Sequence, residues 1–82
     1  MCRNFYKRDI YYFEFIGDSE VIVLDLADEI IGEPLSITPE QKAAALSIAS
    51  DVTTNPFNGN VGIQVMDNEL EELAKILNIG LV

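Results

Sequence analysis

Two runs near the start of the chain, Ile10 to Ile16 and Val21 to Leu26, are rich in β-branched and aromatic residues, and Gly17-Asp18-Ser19-Glu20 separates them. Turn chemistry between two strand-forming runs predicts a β-hairpin. Side chains alternate across a strand, so Tyr11, Phe13 and Phe15 are expected on one face and Ile10, Tyr12, Glu14 and Ile16 on the other. The second run is apolar at every position from Val21 to Leu24, which points to a central strand or one with a partner over its second face.

Beyond the hairpin, Asp25 to Ile31 reads as a short helical turn stopped by Gly32 and Pro34. A clearer helix starts at Thr38-Pro39-Glu40-Gln41. Thr38 suits the N-cap, Pro39 the first helical position, and Gln41 completes a capping box. Ala45, Ile48, Ala49 and Val52 then recur at i, i+3, i+4 and i+7, a narrow apolar face that ends at Asn55-Pro56. Val61, Ile63 and Val65 alternate with Gly62, Gln64 and Met66, the period of a half-buried strand. A last helix is expected from about Asn68 to Leu77, capped by Asp67 or Asn68, with Leu70, Leu73, Ala74 and Leu77 on one face and Gly80 beyond its end. The order is ββαβα, which predicts an α+β fold: a three-stranded sheet with an N-terminal hairpin, covered by two helices. Residues 10–82 are expected to form this single domain, with residues 1–9 as an arm.

Length bounds what such a fold can do. At 82 residues the chain has room for one domain, and a globule of this size buries only about 60% of the surface its unfolded chain exposes. A roomy, water-excluding cleft is hard to build, and association with a copy or a partner is a natural source of extra stability. The one cysteine, Cys2, rules out an intramolecular disulfide, which suits a reducing interior. The basic N-terminus runs into Tyr-Tyr-Phe-Glu rather than a smooth apolar segment, so no signal peptide is expected, and Val21 to Leu24 is far too short to span a bilayer. These features predict a cytoplasmic protein.

Charge changes the picture most. The formal net charge is -9, and it is segregated: residues 1–9 hold three cations against one acid, while residues 10–82 hold two lysines against thirteen acids. Such a body repels phosphates, so direct nucleic-acid binding through a broad basic surface is disfavoured. The arm interleaves basic and aromatic residues as nucleic-acid contacts do, but three cations do not offset the acids beyond them. Arg3, Phe5, Tyr6, Lys7 and Arg8, with Tyr12 on the following strand, are instead candidates for an oligomer interface, since Tyr, Phe and Arg are enriched at such surfaces. The arm is expected either to fold back onto the chain's own carboxylates or to reach a second subunit.

The chemistry of catalysis is thin. No histidine occurs, which removes the commonest general base, the His-assisted nucleophiles and imidazole zinc sites, and one cysteine cannot supply a cysteine-only zinc site. Neither a phosphate-binding G-x-x-x-x-G-K-[ST] loop nor a G-x-G-x-x-G fingerprint is present. No enzyme activity, cofactor or metal is expected. Gly59 and Gly62 share a G-x-x-G spacing, but without a basic residue it reads as a turn. Asn55-Pro56-Phe57 matches a tripeptide that some endocytic adaptor modules bind; its plainer reading is a helix stop and an Asx turn that tucks Phe57 against the core. Asp51, Asn55, Asn58 and Asn60 offer oxygens, though not at the spacing of a calcium loop.

Two acidic groups remain. Asp25, Asp28, Glu29 and Glu33 follow the hairpin, and Asp67, Glu69, Glu71 and Glu72 open the last helix, where acids complement the helix dipole and Glu71 is spaced to pair with Lys75. Clustered carboxylates present a field like that of a phosphate backbone. The sequence therefore predicts a small acidic protein-binding module that occupies a basic, nucleic-acid-binding surface of a target protein, as inhibitors, antitoxins and phage-encoded factors do. Asp25, Asp28, Glu29, Glu33, Glu69 and Glu72 are its expected contacts. The alternative is a homo-oligomeric structural or regulatory module that pairs through the N-terminal aromatic strand.

Overall fold

In the computed structural model, which describes residues 4–82, the expected hairpin forms the centre of a larger sheet. Strand β1 (Asn4–Phe5) is followed by a 3-10 turn at Lys7–Asp9 and by β2 (Tyr12–Ile16), β3 (Glu20–Leu24) and β4 (Ile30–Ser36). Helix α1 (Pro39–Ile48), β5 (Val52–Thr54), β6 (Val61–Gln64), α2 (Leu70–Ile76) and β7 (Gly80–Leu81) complete the chain. The main sheet is antiparallel with strand order β4-β3-β2-β6-β5, and β1 pairs separately and in parallel with β7. The fold is α+β, but the sheet has five strands, not three, and the order ββαβα is overturned.

Both extra strands in the main sheet come from segments whose local pattern favoured something else. Asp25–Ile31 is not helical. Asp25 Oδ1 accepts from the backbone N–H of Ala27 at 2.9 Å and Glu29 at 3.0 Å, which closes a tight turn with Asp28 at φ 66° and launches β4. Glycine at φ 72° and a register shift let β4 pass Gly32-Glu33-Pro34 without losing its pairing to β3. Likewise α1 stops at Ile48, seven residues short of Asn55, because Ala49 turns to an extended conformation, ψ 134°. Val52-Thr53-Thr54, β-branched throughout, then pairs with β6.

The hairpin itself joins Tyr12–Ile16 to Glu20–Leu24 as expected, and β3 is an interior strand. Phe13 and Phe15 are fully buried against Val21, Val23, Ile63 and Leu35, while Tyr11, just before β2, stays partly exposed. Both helices add to this same cluster, so the molecule has two layers, helices over one sheet face. From α2 come Leu70, Leu73, Ala74 and Leu77, the face read from the sequence. From α1 come Ala45, Leu46 and Ala49, whereas Ile48 and Val52 of the expected stripe are exposed.

Helix ends follow local chemistry. Thr38 and Gln41 form the expected capping box, each side chain bonded to the other's backbone N–H. Neither Asp67 nor Asn68 caps α2; Glu69 occupies that position without a side-chain cap. At its other end Asn78, φ 60°, lets Ile79 N–H bond Ala74 O and Asn78 N–H bond Lys75 O, a Schellman closure that hands the chain to β7. Phe5 is buried and its ring lies where a Cβ on Gly32 would make contact, so the β1–β7 pair sits beside β4.

Candidate functional site

Every acid in the chain is at least partly exposed, and among the described residues no polar or charged side chain is buried. Lys7, Arg8 and Lys42, in contrast, are engaged by their own chain, while Lys75 is exposed. Lys7 Nζ donates to Glu71 Oε1 at 2.7 Å. Arg8 stands over the Tyr6 ring, 5.4 Å from its centroid. Lys42, on α1, donates at 2.9 Å to both Gly17 O and Asp18 Oδ1, tying the helix to the hairpin turn, with the Phe15 ring beneath it. Among the described residues, Glu71 and Asp18 are the acids held in ion pairs. Among the remaining carboxylates Glu14, Asp25 and Glu69 accept hydrogen bonds from their own chain, and most of the others are exposed.

The six acids expected as contacts occupy two places. Asp25, Asp28, Glu29 and Glu33 span the β3–β4 turn and the edge strand β4. Asp25 is the exception in that group, since its carboxylate is spent on the turn it closes; Asp28, Glu29 and Glu33 are exposed. Glu69 and Glu72 belong to the start of α2, where Glu69 Oε1 lies 3.4 Å from Ser50 N and Glu72 is exposed. Glu71, passed over as a contact, is the acid whose protonation is most clearly set by structure: the hydrogen bond and charge of Lys7 hold its carboxyl below the ordinary glutamate range, with a lesser contribution from Lys75. No three His, Cys, Asp or Glu side chains converge closely enough to hold a metal among the described residues. The acids make a field rather than a chelate.

The candidate interface residues of the arm are tied into the chain. Phe5 is core, Lys7 is paired to α2, and the arm's backbone bonds β7, with Val82 N–H donating to Phe5 O at 2.8 Å. Folding back onto the chain's own carboxylates is thus what Lys7 does. Tyr6 and Arg8 are exposed; Arg3 lies outside the described residues. Tyr12 lies on the sheet face away from the helices and covers Gly62 of the neighbouring strand, where its ring fills the space a Cβ would occupy, and its Oη shares a 2.6 Å hydrogen bond with Thr53 Oγ1 of β5.

Phe57 departs most from expectation. The Asx turn forms, with Asn55 Oδ1 accepting from Phe57 N–H at 2.8 Å, and a second one joins Asn58 to Asn60. The ring does not tuck against the core but stands 96% exposed. The turn closes through Gly59 N–H to Asn55 O and Asn55 N–H to Asn60 O, which leaves residue 57 at the tip of the β5–β6 hairpin, pointing away from both layers.

No helix among the described residues is long and apolar enough to cross a membrane. Comparison with protein-family models, curated protein sequences and solved structures finds no match to this chain. What can be stated of its class rests on the fold and the charge: an acidic, two-layer α+β protein.

Proposed function

We propose that this protein is an acidic binding module that occupies a basic, nucleic-acid-binding surface on another protein. The observation that carries the reading is the asymmetry of its charges: fourteen acids, all at least partly exposed, against five cations, of which Lys7 and Lys42 are taken up in ion pairs and Arg8 stands over Tyr6. Asp28, Glu29 and Glu33 on the turn and edge of β4 are the leading contacts, with Glu69 and Glu72 as a second group. Asp25 has a smaller part, because its carboxylate holds the turn. Exposed carboxylates fixed on a small rigid sheet compete with phosphates for the same Lys and Arg side chains, and long-range attraction speeds the encounter at low salt. The internal contacts of Phe5, Lys7 and Tyr12 support this reading over oligomerisation through the arm.

The test is capture of partners by the tagged protein from its own host at low and at high salt, beside a variant carrying Asp28→Asn, Glu29→Gln and Glu33→Gln. A basic nucleic-acid-handling protein, released by salt and lost with the variant, is the expected result. Partners retained equally at both salt levels and by the variant would overturn the reading.

A further inference from the structure

The two edges of the main sheet are unlike. At the β4 edge Gly32, Glu33, Pro34 and a register shift interrupt the strand, the devices by which natural proteins keep an edge from pairing. The β5 edge has none of these and is protected only by being three residues long. Val52-Thr53-Thr54 contains no proline, charge or bulge, and residues 52–66 contain no Asp, Glu, Lys or Arg in a chain of net charge -9. The ladder defines which groups are free. Gln64 N–H bonds Asp51 O and Asn55 N–H bonds Asn60 O. By the alternation of an antiparallel pair, Thr53 therefore faces Gly62, and Val52 and Thr54 turn their N–H and C=O groups outward.

We propose that β5 pairs with β5 of a second copy of this chain, antiparallel about a two-fold axis at Thr53. In that register Val52 meets the second copy's Thr54 and Thr54 meets the second copy's Val52, which gives four strand hydrogen bonds and one continuous sheet across both copies. The Phe57 loop then runs beside the second copy's Ile48 and Ala49. Three exposed apolar side chains, Ile48, Val52 and Phe57, flank this axis in the chain, and one symmetric contact shields all three. Charge selects the occupant. A basic partner is drawn to the acidic turn and helix, whereas a chain that itself carries -9 is tolerated only where charge is absent. Three residues of strand make a small contact, in the class of transient interfaces burying less than about 1,200 Å².

Sedimentation velocity over a concentration series, at low and high salt, tests the pairing together with amide hydrogen exchange. The expected result is a weak dimer that strengthens with salt, as screening removes repulsion between like-charged copies. The Val52 and Thr54 amides should exchange at least tenfold more slowly at high than at low protein concentration. Thr54→Pro removes an outward N–H while sparing the bonds to β6, so it should abolish the dimer and leave the circular dichroism spectrum unchanged. A chain that stays monomeric at high concentration and high salt overturns the proposal. So does a dimer whose Val52 and Thr54 amides exchange equally fast at both concentrations, a measurement on the unaltered protein that decides even where the proline variant fails to fold. Salt acts in opposite directions on this contact and on binding to a basic partner, so the failure of one is distinguishable from the failure of the other.

Discussion

Gly62 is held to glycine by its neighbour and not by its backbone, since its φ is not positive and a Cβ there would overlap the Tyr12 ring. Gly62→Ala should destabilise the protein by about 1–3 kcal/mol, the usual cost of overpacking. Removing the ring with Tyr12→Ala should abolish most of that increment, so a double-mutant cycle in urea checks the coupling directly. Glu71 offers a second test at this scale. Lys7 lowers its pKa, so the pair's stabilisation is present above the unfolded pKa and is lost as pH falls through the lowered folded value. Both side chains are largely exposed, and the effect on stability is correspondingly small. NMR titration should find Glu71 ionising below the ordinary glutamate range and returning toward it in Lys7→Met.

Gln41 links two elements at once. Its Oε1 accepts from Thr38 N–H at the start of α1, and its Nε2 donates at 2.9 Å to Ile76 O at the end of α2. Gln41→Glu keeps the capping acceptor but replaces the donor with a carboxylate facing a helix C-terminus, where negative charge is unfavourable. A loss of roughly 1–2 kcal/mol follows from the broken bond and the added repulsion. Thermal melting at pH 7 checks this, and the deficit should shrink as acid protonates the new carboxyl. The same scale explains which elements were legible. Helix α1 announced its start through Thr38-Pro39-Glu40-Gln41, and α2 its buried face through Leu70, Leu73, Ala74 and Leu77, because caps and amphipathic stripes are local. The two outer strands of the main sheet were not. Val52 fits a helical stripe and an edge strand equally well, and only the pairing partner, Ile63 in β6, decides between them.

For the whole molecule, charge and size act together. Its extents are 32 × 28 × 25 Å, comparable to the Debye length of about 30 Å at 0.01 M salt. At low salt each carboxylate therefore repels most of the others. Adding salt to 0.5 M shortens that range to a few ångströms, so the melting temperature should rise, despite the weakening of the exposed Lys7–Glu71 pair and, less so, of the partly buried Lys42–Asp18 pair. A melting temperature that falls with salt would mean that attractive pairs outweigh repulsion. The acids proposed as contacts were legible as charges, since carboxylates with few cations to match them stay in water. Their division of labour was not, because whether Asp25 faces a partner or closes its own turn depends on the path of the backbone around it.

The sequence by itself determined the α+β class, the β2–β3 hairpin, the start of α1, the buried face of α2 and the sign of the surface. Each follows from interactions between residues close along the chain, or from composition. Tertiary structure alone decided that the sheet has five strands, that Phe5 belongs to the core, that Lys7 meets Glu71 and that Phe57 stands in solvent. β1 depends on a partner distant in sequence, β7, whereas β4 and β5 lie one short turn from β3 and β6 and form because pairing with those neighbours outweighs the helical pattern of their own residues. Local propensity is weak in all three, and the free energy of pairing settles the conformation.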